Sequence, residues 1–202
     1  CSRGETAPGI FATTAAEAVV AVPTPGYLRW GPWAGETRVD KGDGVERADR
    51  LHPGAWVAGV RSSVSSVENA TGRGVYDGPA VAQVIERGAD GATAAYLDGG
   101  RYRLDYHFGR GEGTARLDGI AGESLTAAVD AASARHGNHY AGDLSGFRGE
   151  GAGRVRGAFF TGDGDPTAAT AGAFDFSASR PEGGSVAASG VFGADRIEPP
   201  PE

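Results

Sequence analysis

Gly153-Arg154-Val155-Arg156-Gly157-Ala158-Phe159-Phe160-Thr161-Gly162 is followed by Ala171-Gly172-Ala173-Phe174-Asp175-Phe176 and then by Ser189-Gly190-Val191-Phe192-Gly193-Ala194-Asp195-Arg196. These read as three successive strands, each punctuated by glycine and each carrying phenylalanine. Glycine at repeated positions in a strand is costly, because it loses more backbone entropy than any other residue and gives the sheet no side chain. A tightly curved, closed antiparallel sheet supplies the reason, since there glycine lets the backbone bend or lie against a neighbouring aromatic ring. In the last strand, Val186, Ala188, Gly190 and Phe192 fall on one face and Val191 on the other. Phe192 is therefore expected to fill a core where the first and last strands meet, and Val191 to tolerate a polar replacement.

The same period of two runs upstream. In Arg101-Tyr102-Arg103-Leu104-Asp105-Tyr106-His107-Phe108, four apolar residues alternate with four polar ones, which marks a half-buried strand. Gly109-Arg110-Gly111-Glu112-Gly113 supplies a hairpin turn, beyond which Ala115, Leu117 and Gly119 continue an inward face. Residues 76–85 place Tyr76, Gly78, Ala80, Ala82 and Val84 on one side. Ser124–Ala132 fits a strand through Leu125, Ala127, Val129 and Ala131, and it also fits a helix face through Leu125, Ala128, Val129 and Ala132. Alanine favours the helix by propensity, whereas the order of neighbouring strands favours a strand, and the strand is adopted.

These motifs, in this order, resemble the β-barrel domain of transferrin-binding protein B and related solute-binding surface lipoproteins. Gly153–Gly162, Ala171–Phe174 and Gly190–Arg196 resemble that family's last strands. Ala70-Thr71-Gly72-Arg73-Gly74-Val75-Tyr76-Asp77-Gly78-Pro79-Ala80 resembles its first strand, and Tyr102–Gly109 with Gly119-Ile120 one of its hairpins. The resemblance implies an all-β fold: a small antiparallel up-and-down barrel of about eight strands over residues 70–197. Upstream, the residues read as an N-terminal extension, 10–69, of loops, a short helix and one or two strands packing on that barrel. The resemblance also implies a protein or iron- or haem-type ligand captured by the loops, and an outer-membrane receptor as a further partner. Residues 198–202 are expected to be a disordered tail.

Alternating small and large inward residues build a filled taper in a barrel of this size, although small residues can also line a ligand cavity. In the extension, Thr14-Ala15-Ala16-Glu17 is a capping box before good helix formers, so a short helix or turn is expected over 14–20, ended by Pro23 and Pro25. Residues 26–34 are strand-like, and the mixed charges of 36–54 read as a loop.

With 35 glycines but 40% hydrophobic residues, the chain is too apolar for a disordered tract and should fold as a loop-rich globular protein. A net charge of −7 and a pI near 5.1 leave no basic stripe for phosphates, so a nucleic-acid partner is excluded. Cys1 is the single cysteine. A bacterial lipoprotein signal is cleaved before such a residue, which is then acylated, and the small polar residues 1–9 would form a tether. That reading puts the protein on a Gram-negative outer membrane, held only through the N-terminal lipid and facing the cell surface.

No Gly-x-Ser-x-Gly elbow, phosphate loop, His-Glu-x-x-His or internal cysteine nucleophile occurs, so binding rather than catalysis is expected. His136-Gly137-Asn138-His139-Tyr140 could ligate a metal or haem iron, yet Gly137-Asn138 is first a turn signal. No bound cofactor and no metal site are assigned. Asp163-Gly164-Asp165-Pro166 lacks the further ligands of a calcium loop and reads as a β-turn. Tyr27, Trp30 and Trp33 cannot all point inward from one regular strand. They either pack on the barrel or form an exposed recognition patch. The candidate ligand-binding residues are thus His136, His139, Tyr140, Tyr27, Trp30 and Trp33.

Overall fold

A computed structural model describes residues 12–15, 27–40, 46–132, 134 and 137–197. Eleven strands are present among them. Ala12–Ala15 (β1), Leu28–Asp40 (β2) and Glu46–Gly59 (β3) form an antiparallel sheet in the order β1-β2-β3. A one-turn helix, Val64–Glu68 (α1), leads into Arg73–Arg87 (β4), Thr93–His107 (β5), Glu112–Asp118 (β6), Ser124–Asp130 (β7), His139–Leu144 (β8), Gly151–Gly162 (β9), Asp165–Ser179 (β10) and Ser185–Ile197 (β11). β4 to β11 pair with their sequence neighbours, and β11 returns to β4, closing an eight-stranded antiparallel barrel.

The strand read over 124–130 is observed as β7, with Leu125, Ala127 and Val129 buried. β9 and β10 are joined by a two-residue turn with positive φ at both Asp163 and Gly164, the geometry that matches strand twist in a hairpin. The thinnest seam is β7–β8, held by Asp130↔Ala141 and, in the same register, by reciprocal bonds between Thr126 and Ser145 at 2.9 and 2.8 Å. On the other flank, β4–β11 pairing skips Gly78 and Pro79. Proline has no N–H to give to the ladder there.

Two expectations for the extension need correcting. The segment 36–54 is not a loop: β2 runs to Asp40 and β3 begins at Glu46, with Glu36 in register with Arg50 and Val39 with Arg47. Mixed charges suit a ribbon as well as a loop, and periodicity alone does not separate them. Thr14 and Ala15 lie in β1, opposite Glu36 and Gly35, so cross-strand pairing overrides the capping-box propensity. The rest of the expected helix, residues 16–20, lies outside the described residues, as do the tether 1–9 and the tail 198–202. The observed helix stands instead at Val64–Glu68, opened by Ser63, whose Oγ accepts from Ser66 N at 3.0 Å.

The interior of the barrel is filled. Tyr76, Tyr102, Tyr106, Tyr140, Phe159, Phe174 and Phe192 are its largest buried side chains, with Leu104, Leu117, Leu125, Val84 and Val186 between them. Tyr102 stacks on Phe192 with centroids 3.6 Å apart. Val67 of α1 joins the core at one end, which we call the α1 end. Ile120 and Ala121, in the 3-10 turn between β6 and β7, join it at the other. That turn is locked by ions: Glu123 is buried, and its Oε1 accepts from Arg180 Nη1 at 2.6 Å and from Arg148 Nε at 3.3 Å.

Val191 departs from expectation. It lies on the outer face as read, yet it is only 5% exposed, because Leu28 and Trp30 of β2 cover it together with Ala158, Phe160, Ala169 and Ala171. The burial of β11 accordingly alternates up to Ser189 and is continuous from Gly190 to Ala194. Phe192→Ala is expected to lose about 3–5 kcal/mol, as truncation of a buried aromatic does. Val191→Thr, which places a hydroxyl under the β2 cover, should lose about 1–2 kcal/mol. Equilibrium unfolding in urea measures both.

Candidate binding surface

The candidate residues separate into a clasp, an interior group and a surface group. In the clasp, Tyr27 and Trp30 hold the three-stranded sheet against the outer wall of the barrel. Trp30 lies against Gly193, where any Cβ would collide with its indole, and Tyr27 covers Gly162 in the same way. For Tyr27 and Trp30 this is the packing reading of the aromatic run. The side chain of Trp33 lies outside the described residues, as do Cys1 and His136.

The clasp is not fully satisfied electrostatically. Trp30 Nε1 and Asp195 Oδ1 are buried without a hydrogen-bond partner. Burial pushes the Asp195 carboxyl up, and the Tyr27 phenol is raised by its own burial and then by the Asp195 charge. A carboxyl raised in this way destabilises the fold wherever it must stay ionised, and the penalty vanishes below the unfolded value of about 3.9, where both states are protonated. Asp195→Asn is therefore expected to raise the thermal midpoint at pH 7, and to lose that advantage as the pH falls towards 3, followed by circular dichroism melts.

Tyr140 belongs to the interior, which removes it from any ligand met at the loops. It is fully buried against the bare backbone of Gly157, and its hydroxyl lies 2.7 Å from Thr170 Oγ1 and 3.0 Å from the Tyr102 hydroxyl. Burial raises the pKa of Tyr76, Tyr102 and Tyr140 well beyond the ordinary phenol range and pushes Tyr106 up to about 12. Below pH ~10 these phenols leave stability untouched; above it only the unfolded chain releases their protons, so stability falls. Absorbance at alkaline pH should show these tyrosines ionising together with unfolding, and not beforehand.

His139 remains at the surface, at the α1 end. Its Nε2 accepts from Arg61 Nη1 at 3.3 Å, and the adjoining Asn138 is buried, with Nδ2 donating to Ser62 O at 2.6 Å. Among the described residues no group of three His, Cys, Asp or Glu is placed to hold a metal ion. Sequence reasoning missed the apolar residues exposed on this side. Trp56 on β3 is 42% exposed, and Val60 and Val64 are exposed beside Arg61 and α1. Trp56 adjoins the mixed-charge stretch 36–54, in which periodicity reveals no strand register. Once β2 and β3 pair, Trp56 stands opposite Gly31.

Neither a protein-family model nor a curated protein matches the chain. Solved structures do. An intact Ap-TbpB structure with N and C lobes matches with TM-score 0.55 and 18% identity, over 94% of this chain and 39% of that one. The isotype 1 transferrin-binding protein B of serogroup B Neisseria meningitidis matches with TM-score 0.53 and 18% identity, over 87% and 36%. A transferrin-binding protein B variant from Haemophilus parasuis Hp5 matches with TM-score 0.50 and 16% identity, over 98% and 39%. The fold is that of the transferrin-binding protein B barrel. The chain spans about two-fifths of the length of these transferrin-binding protein B structures.

Proposed function

We propose that this chain is a lipid-anchored surface lipoprotein that captures a protein ligand on its outer surface, through the β2–β3 sheet and the α1 end of the barrel. One observation carries the reading. The interior is filled by packed aromatic and aliphatic side chains, so a partner is met by the outside of the molecule. Outside, Trp56, Val60 and Val64 are large apolar residues left exposed where the sheet meets the barrel. Tryptophan is among the residues enriched in interaction hot spots. Similarity to structures of transferrin-binding proteins supports a protein as the ligand class, and the missing catalytic motifs support binding over catalysis.

Cys1 would carry the acyl anchor, placing the barrel on the surface face of a Gram-negative outer membrane, where a receptor could share the ligand. Fractionation of cells expressing Cys1→Ser should move the protein from the membrane pellet to the soluble fraction; retention in the pellet rules out the anchor. Trp56→Ala should leave urea unfolding unchanged, because the ring is largely solvated, and weaken ligand capture at least ~10-fold, as loss of an aromatic hot spot does.

The filled interior equally favours a second reading, a structural or adhesive surface module without a small-molecule ligand. Titration with haem tests this second reading. A Soret band lost in the variant His136→Ala with His139→Ala would establish an iron-type ligand and refute the adhesive reading.

A further inference from the structure

β5 is longer than its neighbour on one side. It pairs with β4 along its whole length, from Thr93↔Arg87 to His107↔Arg73. β6 meets only its second half, from Arg101↔Asp118 onward. Asp98 marks the boundary, its Oδ2 accepting from Ala121 N at 2.7 Å. Among the described residues no strand pairs with the free side of Thr93–Leu97, and all five of these residues are exposed.

The backbone of this edge has a definite polarity. Gly88 N donates to Ala92 O at 2.8 Å at the hairpin end. Antiparallel pairs alternate between bonded and non-bonded, so Ala94 and Tyr96 exchange bonds with β4, while the N–H and C=O groups of Thr93, Ala95 and Leu97 point to the open side. Natural edges of this kind are blunted by charge, proline or a bulge. Thr93-Ala94-Ala95-Tyr96-Leu97 has no charged residue and no proline. The outward face of the same strand carries Arg101, Arg103 and Asp105 further along, yet Leu97 here is 44% exposed, with Tyr96 at 38% and Ile85 of β4 at 46%.

We propose that this edge pairs with the same edge of a second copy of the chain, joining two barrels through one continuous antiparallel ribbon. The segment is self-complementary. With Ala95 facing Ala95 of the other copy, Thr93 faces the other Leu97 and Ala94 faces the other Tyr96, so each large side chain meets a small one. Asp98 falls beyond the ribbon and meets no like charge within it. The three outward-facing residues of each copy then close about six backbone hydrogen bonds, and the contact is isologous, as a two-fold dimer requires.

A ribbon of five residues buries less than the ~800 Å² per partner of a standard interface, so the dimer is weak and reversible. Each copy carries a net charge of −7. Repulsion between the copies is screened by salt while the backbone bonds are not, so dimerisation strengthens as salt is raised.

Sedimentation equilibrium of the whole chain tests this. The parent is expected to show a reversible monomer–dimer equilibrium, tighter in 0.5 M than in 0.05 M salt on the order of several-fold. Ala95→Pro removes an N–H that faces the open side and no bond to β4, so it should weaken the dimer at least ~10-fold with little change in thermal midpoint. Leu97→Lys introduces the charge that natural edges carry and should do the same while keeping every backbone group. A parent that stays monomeric at several hundred micromolar overturns the proposal, even if an extended peptide of another protein proves to bind along β5. So do folded variants that dimerise as the parent does.

Discussion

The phenol of Tyr140 and the ring of Phe192 meet at Tyr102, and the barrel closes around that contact. Tyr140 is buried with its hydroxyl shared between Tyr102 and Thr170, and Tyr102 stacks on Phe192 of the closing strand. A buried hydroxyl without a partner costs more than most single contacts return. The two phenols satisfy each other, which lets rings of this size occupy a narrow interior. The rings in turn need bare backbone beside them. Gly157 yields to Tyr140, and a side chain at either Gly157 or Gly193 would drive an aromatic ring away from its strand.

The outer wall repeats the device one layer out. Phe159 and Phe160 point to opposite faces of β9, and both are buried, the first in the barrel and the second beneath β2. Adjacent buried residues on a strand mean that both faces are covered. The covering layer is the N-terminal sheet, seated through Leu28 and Trp30. It leaves Asp195 Oδ1 and the Trp30 indole N–H without hydrogen-bond partners at the seam. The sheet is thereby committed to the barrel through apolar contact and not through polar pairing. On β3, opposite Gly31, Trp56 is left exposed to solvent.

The two ends of the barrel differ chemically. At the α1 end, Val67 closes the interior and Asn138 ties its loop to Ser62, leaving valines, Arg61 and His139 at the surface. At the opposite end Glu123 gathers Arg148 and Arg180, and Arg180 also reaches Glu86 at 2.6 Å. A buried carboxylate with two guanidinium partners fixes geometry more than it adds stability. It holds the turn that stops β6 from following β5, and so creates the open edge of Thr93–Leu97.

The sequence by itself determined the barrel. Alternation in 101–108, the glycine and phenylalanine spacing of the last three strands, and the inward set Tyr76, Ala80, Ala82 and Val84 are local signals, because side-chain direction along a strand has period two whatever lies across from it. Tertiary structure alone decided what covers the outer wall. Ala158, Phe160, Ala169, Ala171 and Val191 form one apolar patch only after three strands are placed side by side. In the chain each is a single apolar residue at an outward position. The same distinction separates the site residues: Tyr140 adjoins His139 in the chain but faces inward, Trp30 meets Gly193 across more than a hundred residues, and Trp56 gains its exposure from a pairing with β2 that mixed charges had concealed. Period and propensity are written residue by residue, whereas cover and exposure depend on which distant surface arrives, and that is settled only when the sheet docks on the closed barrel.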